Sequence, residues 1–266
     1  KEYTYALMAT ILIKHLAQHA GEKVEIRGWL YNKRSKGKIA FLIIRDGTGI
    51  VQCVVVKNNV PEAVFVAAEK TPQESSVIVR GTAKLEPRAP GGIEIETEDI
   101  QVVHAAQNDY PIQIQDVVPD VGFLIANRHL WLRSKKPSAV MRVRAELIRA
   151  IRDYLDSRDF VCVDAPIVTP VMCEGTTTLF EIKYFDQTAF LTQSGQLYME
   201  AAAMALGKVY CLGPALRAER SKTRKHLIEF WMVEPEIAFM EFDELLKLIE
   251  DFVCSIVHRV LDRCRE

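Results

Sequence analysis

The sequence predicts two successive domains of different class, a small β barrel and then an α+β domain built on an antiparallel sheet. Three observations carry that expectation. Residues 22–104 are a chain of short β-rich runs separated by turn signals. Residues 105–128 are polar and interrupted by Pro111 and Pro119, the composition of a hinge. Beyond them helical spacing of apolar residues alternates with short strand-like runs. The expected boundaries are 1–106 for the barrel, 107–128 for the hinge and 129–266 for the second domain. A chain of 266 residues has ample core for one large or two ordinary domains.

In chain order, the β-rich runs are 24–31, 40–45, 50–56, 76–83 and 93–103, with a helix-like 61–70 between the third and fourth. Five strands with a helix in that place is the order of an OB-fold barrel, whose strand face binds oligonucleotides. A generic small barrel fits the same order. In the second domain, residues 138–157 carry Val140, Val143, Leu147, Ile151 and Leu155 at helical spacing. Strand-like runs follow at 160–163 and 167–168 around Pro166, then a pair at 180–182 and 189–192. Residues 196–206 read as a helix stopped by Gly207, a natural C-cap. A long amphipathic helix, 242–265, closes the chain, with Leu245, Leu246, Ile249 and Phe252 on one face.

Composition excludes some classes. With 49% hydrophobic and 26% charged residues the chain reads as globular, and a net charge of −1 excludes a globally basic nucleic-acid binder. Any polyanion must therefore meet a local patch. Six scattered cysteines without a CxxC, mostly in apolar runs, point to buried thiols in a reducing cytosol rather than disulfides or zinc. No apolar run approaches the ~18 residues of a membrane span. Residues 5–13 are apolar behind Lys1, but Lys14 follows at once, so no signal peptide is expected; Met8 is a possible native start.

The local patch lies in residues 213–236, which read as strand, charged loop, strand. Between Arg217 and Lys225 stand five cations, namely Arg217, Arg220, Lys222, Arg224 and Lys225, with the single acid Glu219. Arg and Lys bring charge-assisted hydrogen bonds to phosphate. Such a run is otherwise a solvated face. Here apolar strands flank it, and Glu234 and Glu236 close the second strand, which favours a polyanion site.

The tripeptide Arg217-Ala218-Glu219 behind Leu216 resembles the (F)RxE of motif 2 in class II aminoacyl-tRNA synthetases, with the aromatic position made aliphatic. Residues 217–236, RAERSKTRKHLIEFWMVEPE, are similar to the aspartyl/asparaginyl subgroup throughout. Helix 138–157 with its Pro166 strand resembles motif 1, the dimer element. The asparaginyl branch fits best: residues 192–198 read TQSGQLY, with Gly195 where aspartyl sequences usually have Pro, and CEGTTTLFE (173–181) and EFWMVEPE (229–236) agree. The resemblance implies a class II synthetase-type antiparallel sheet domain behind an OB-fold anticodon-binding domain. It implies ATP-dependent activation of asparagine and transfer to tRNA(Asn), with ATP and Mg2+, a cytoplasmic homodimer and no membrane. The family's third motif, GxGxxxR, is not found, so the fold is expected to be incomplete at its C-terminus and the polypeptide by itself not to aminoacylate. The chemically intact motif 2 favours part of a longer synthetase. An aspartyl or non-discriminating relative and a truncated, non-catalytic tRNA-binding paralogue are the alternatives.

Site roles follow by the same resemblance. Arg217 binds the α-phosphate, and with Glu219 it forms the catalytic pair; Glu219 holds the substrate amino group or the adenine end, or else pairs with a loop cation. His226 contacts the γ-phosphate and Phe230 stacks on adenine; a structural role is the alternative for each. Glu174 belongs to a lid over the amino acid, whose other contacts are Gln193, Gln196 and Arg217. Gln196 could equally be a plain polar residue opening its helix. Ser221, Thr223 and Arg224 face the tRNA acceptor end. In the barrel, Phe41, Gln52 and Glu94 meet anticodon bases, Lys33 and Arg34 the phosphate backbone, with Lys36 and Lys38 in the same basic turn. Burial inside the barrel is the rival for Phe41. The resemblance also implies that carboxylates between motifs 2 and 3 help hold magnesium; Glu234 and Glu236 are present in that stretch, full coordination is not expected from this chain, and no metal ligand is assigned. Separating asparagine from aspartate demands acceptors for the amide and no cation to reward a carboxylate; the sequence names no residue for it.

Overall fold

Alternation at period two builds the first unit. β1 (Ala9–Thr10) lies parallel to β2 (Lys23–Lys36), which pairs antiparallel with β3 (Ile39–Arg45), and β3 with β4 (Ile50–Val56). α1 (Glu62–Lys70) follows, then β5 (Ser76–Leu85) and β6 (Ile93–His104). β6 joins β4 in parallel and β5 antiparallel, and β5 pairs back onto β2, which closes the barrel. This computed structural model describes residues 9–107, 109–112, 119–173, 178–220, 223 and 225–265. It divides into two units, residues 1–130 and 131–266.

The inward residues of the barrel, among them Val24, Ile26, Leu42, Ile44, Val51, Cys53, Val79 and Ile95, are at most 2% exposed. Each such aliphatic side chain contributes about 1.5–3 kcal/mol on burial. α1 covers one opening with Val64, Phe65 and Ala68. β2 runs five residues past the expected stop at Tyr31, because the pairing shifts register between Leu30 and Asn32. That bulge breaks the alternation a reader follows, while the ladder continues and sets Arg34 opposite Phe41. The segment read as a hinge contains α2 (Val121–Ala126), capped by the Asp120 carboxylate, which accepts from Gly122 N at 2.9 Å. Tyr110 Oη donates to the Leu130 carbonyl at 2.8 Å, within the first unit.

After α3 (Arg128–Trp131), the second unit is built on α4 (Lys135–Asp156) and a series of short strands. α4 starts three residues before the expected Ser138. Pro137 fits its first turn because N–H groups there have no helical acceptor. β7 (Val161–Cys162) is shorter than the expected 160–163, and β8 (Val168–Thr169) has the expected length but lies one residue later than the expected 167–168. β9 (Glu181–Tyr184) and β10 (Gln187–Leu191) form a tight hairpin, with Phe185 at φ 53° in its turn. α5 (Gln196–Leu206) has the expected bounds, and Gly207 at φ 82° ends it in a conformation that favours glycine. β11 (Lys208–Leu216) pairs along its length with β12 (Glu229–Ile237) and in parallel with β7.

α6 (Phe242–Arg263) opens on a reciprocal cap in which Glu241 N donates to Glu244 Oε2 at 3.2 Å. It packs on α4 through Leu248, Phe252, Ile256 and Val260. The expected face is thus corrected: Leu246 and Ile249 are about half exposed, at 49% each. On α4, Ala150, Ile151, Tyr154 and Leu155 are buried, whereas Val140, Val143 and Leu147 of the expected stripe are exposed. Where the helices cross, Glu146, only 6% exposed, accepts from Arg259 at 2.8 Å and Arg149 at 3.0 Å. The Arg259 hydrogen bond holds its carboxyl below the ordinary carboxylate value.

All six cysteines are free, but only Cys53 and Cys211 are buried, and Cys254 is exposed, so the expectation of buried thiols fails for most. Among the described residues, no helix is long and apolar enough to cross a membrane.

Candidate active-site cleft and nucleic-acid face

The β11–β12 ladder sets the head of the cleft. Past its last paired residues, Arg217 N donates to the Ile228 carbonyl at 2.9 Å, so the chain is still zipped where the charged loop begins. Two further bonds tie this strand end sideways, Leu216 N to Thr192 O at 2.8 Å and Ala218 N to Thr178 O at 2.9 Å. An open cleft of ≈ 410 Å³ results, and Gln193, Gln196, Arg217, Glu219, Glu234 and Glu236 line it. Four of the residues expected at the site therefore meet in one cavity.

His226 and Phe230 stand outside that lining and join it through partners. His226 Nε2 lies 3.0 Å from Glu219 Oε2, so Glu219 does pair with a loop side chain, and the partner is itself an expected ATP residue. The Arg217 guanidinium sits over the Phe230 ring, 5.4 Å from its centroid, a cation–π contact that fixes the plane of the fork. Gln193 is buried and its amide donates to Thr178 O at 2.9 Å, making it a strut of the wall. Gln196 begins α5; its amide donates to Glu200 Oε1 at 3.0 Å and accepts from the Cys173 thiol at 3.9 Å. Glu174, Ser221 and Arg224 lie outside the described residues, and Thr223 is exposed.

Sequence reasoning tied Glu234 only to magnesium, without assigning it to the site, and missed Ser194 and Cys211. The three converge: Ser194 Oγ donates to Glu234 Oε1, Gly195 N donates to both carboxylate oxygens at 3.2 and 3.0 Å, and Cys211 Sγ lies 3.4 Å from Oε2. The signal for one pair was in the hairpin register, which sets Cys211 opposite Glu234. Burial, and then the nearby Glu234 carboxylate, push the Cys211 thiol up to about 12, so it is a donor here. Burial and the neighbouring Glu200 and Glu234 hold the Glu236 carboxyl above its ordinary value. Among the described residues, no three His, Cys, Asp or Glu side chains come together as a metal site.

On the barrel, Phe41, Gln52 and Glu94 share the outer face. Phe41 is half-buried between the buried Ala40 and Leu42, so it points away from the core and its rival reading fails. The Arg34 guanidinium lies 4.7 Å from its ring centroid. Gln52 pairs with Glu94 in register, and its amide donates to the Glu94 carboxylate at 3.0 Å. Lys33 behaves differently: its ammonium donates to the carbonyls of Glu69 and Thr71 at the end of α1, the latter at 2.7 Å. Burial lowers its pKa. Arg34 projects outward and is exposed. Sequence reasoning missed Trp29, whose ring extends the same outer face with the Arg45 guanidinium 5.1 Å from its centroid.

Comparison with known proteins agrees with both regions. Residues 24–103 match the model of the OB-fold nucleic acid binding domain, and residues 120–266 that of the class II tRNA synthetases (D, K and N). The asparagine–tRNA ligase of Pelotomaculum thermopropionicum is 55% identical over 96% of this chain and 59% of its own length. That of Thermus thermophilus is 54% identical over 95% of this chain and 58% of its own. The crystal structure of asparaginyl-tRNA synthetase from Pyrococcus horikoshii complexed with asparaginyl-adenylate superposes with a TM-score of 0.90 at 42% identity, covering 97% of this chain and 60% of that one. The chain thus spans about 59% of the length of the curated relative from P. thermopropionicum. With the family match covering more than half of the sequence, including the hairpin and the cleft described above, the chain belongs to the class II tRNA synthetases of the D, K and N group.

Proposed function

We propose that this chain carries the ATP and amino-acid sites of an asparagine–tRNA ligase, which activates asparagine as its adenylate and passes it to tRNA(Asn). The observation that carries the reading is the meeting of Arg217 and Glu234 in one cleft, a fixed cation beside a tethered carboxylate. The adenylate of the P. horikoshii structure is the ligand such a pair suits. A carboxylate oxygen of asparagine attacks the α-phosphorus of ATP, the bond to pyrophosphate breaks, and charge grows on the phosphoryl oxygens. Arg217, already held over Phe230, meets that charge without reorganising. No protein nucleophile is needed, so the work of the cleft is positioning. Glu219 and His226 take the amino or adenine end and the terminal phosphate. Phe230 stacks on adenine.

Glu234 supports amide selection. It offers acceptor capacity to a side-chain NH2, while Glu219 and Glu236 line the same cleft, so an aspartate carboxylate would enter among acids. The aspartyl alternative is not favoured, and the relatives at 54–55% identity are asparagine–tRNA ligases. Magnesium, which neutralises phosphate charge in such chemistry, would arrive with ATP, since the described residues make no cage for it. Phe41, Gln52 and Glu94 offer stacking and polar edges to anticodon bases. The exposed half of the α4 stripe, Val140, Val143 and Leu147, supports a homodimer. A cytoplasmic location suits the free thiols.

The test is ATP–pyrophosphate exchange by the full-length native protein. Exchange driven by asparagine and not by aspartate is expected. Preference for aspartate, or no exchange with either, would overturn the assignment.

A further inference from the structure

We propose that Gly195 sets the preference of this cleft for an amide over a carboxylate, holding Glu234 in one orientation with its N–H and leaving room for it with its missing Cβ. The inference rests on the ligase reading above.

A carboxylate has about four acceptor positions. On Glu234, Ser194 and Cys211 donate one hydrogen each, and Gly195 N–H spans both oxygens at 3.2 and 3.0 Å. These three wall donors make two contacts on each oxygen, with the Gly195 hydrogen shared between them, and what acceptor capacity that sharing leaves is turned to the cleft that Glu234 lines. The Gly195 donor is the one that fixes the carboxylate plane, because it alone bridges the two oxygens.

The side chain matters equally. A Cβ at position 195 would stand 2.6 Å from Cys211 Sγ, 3.1 Å from Ala165 Cβ and 3.4 Å from Glu234 Oε2. Cys211 is only 5% exposed and packs with Met199, Ala203 and Val209, so it has little room to retreat. Any side chain at 195 therefore presses on the carboxylate through its thiol neighbour. The backbone is not the constraint, since φ is −85°, within reach of other residues and of proline. Glycine is required by the space and the N–H, not by its torsions. Met199, which is fully buried, lies one turn further along α5 and faces away from the cleft lining.

The test compares G195P, G195A and G195A/C211A in the full-length protein by ATP–pyrophosphate exchange, with thermal unfolding as a check on folding. G195P removes the N–H. Its KM for asparagine should rise about 10- to 100-fold, the value of a hydrogen bond to a charged group, with KM for ATP kept within about twofold. Exchange with aspartate relative to asparagine should rise at least about tenfold. G195A keeps the N–H and should show a smaller rise that C211A relieves, since the double variant removes the thiol in the way. If G195P does not fold, the alanine pair decides. Unchanged asparagine KM and amide preference in G195P and G195A would overturn the inference, as would no relief in the double variant or an equal loss for ATP and asparagine. Absence of asparagine exchange in the wild type overturns the ligase reading and this inference with it; normal wild-type exchange with silent variants overturns only the inference.

Discussion

On the barrel, Phe41, Gln52 and Glu94 stand outside a closed sheet whose inner side chains form a finished core. In the cleft, Gln193 and Arg217 follow strand ends, Gln196 starts a helix and Glu234 lies within β12, and each shares a hydrogen bond or ring contact with a neighbour. The barrel face is the more modular: its contacts are separate pairs, Arg34 with Phe41 and Gln52 with Glu94, so cutting away one outer side chain disturbs its own partner and not the other pair. The cleft is coupled, because its groups hold one another, and effects of change there do not add. A binding surface that reads a flexible strand tolerates the first arrangement. A site that must hold reacting atoms in line needs the second.

The largest effect expected is in the cleft. R217A should lower kcat/KM for asparagine-dependent exchange by about 10²–10³, the typical loss on removing one fixed stabiliser of developing charge, while far-UV dichroism stays native. A loss below about tenfold would show that Arg217 is not that stabiliser. On the barrel, F41A should weaken tRNA binding by about 1–3 kcal/mol, the worth of one stacked base. Exchange without tRNA should be untouched; a matching fall in exchange would end the claim that the barrel face is modular. The smallest effect separates two neighbours on one strand. R34A should reduce the slope of log K for tRNA against log salt by about one. K33A should leave that slope alone and instead cost the barrel about 1 kcal/mol, because its ammonium serves the end of α1. Equal slopes for both variants would return Lys33 to the nucleic-acid face.

The barrel was legible because burial on one face forces alternation, and alternation is visible in a sequence. Strand β2 shows where that fails: at the bulge between Leu30 and Asn32 the pattern breaks, though the pairing does not. The same bulge decides that Arg34 meets Phe41, while Lys33 turns to α1, a difference no run of basic residues reveals. In the second unit the arginine and glutamate of the hairpin could be picked out from the motif they form. Glu234 could be seen but not assigned, since its role comes from Ser194, Gly195 and Cys211, which lie up to 40 residues away in sequence. The faces of α4 and α6 were misjudged for a related reason. Both helices have apolar residues around more than one side, and only their mutual packing selects which stripe is buried.

The Glu146–Arg259 contact closes a loop of 113 residues. On a ribosome adding roughly 5–20 residues each second, the carboxylate of α4 waits about 6 to 23 seconds for its guanidinium partner. In that interval every strand of the barrel has already been made. The barrel can close first, while α4 emerges with an acid at the centre of its future contact face and only Arg149 of the same helix beside it. An acid kept in water during that wait opposes premature burial of the apolar side chains around it. Pairing of Glu146 with Arg259 thus becomes possible only once α6 has been made, which ties the packing of α4 to a helix more than a hundred residues later.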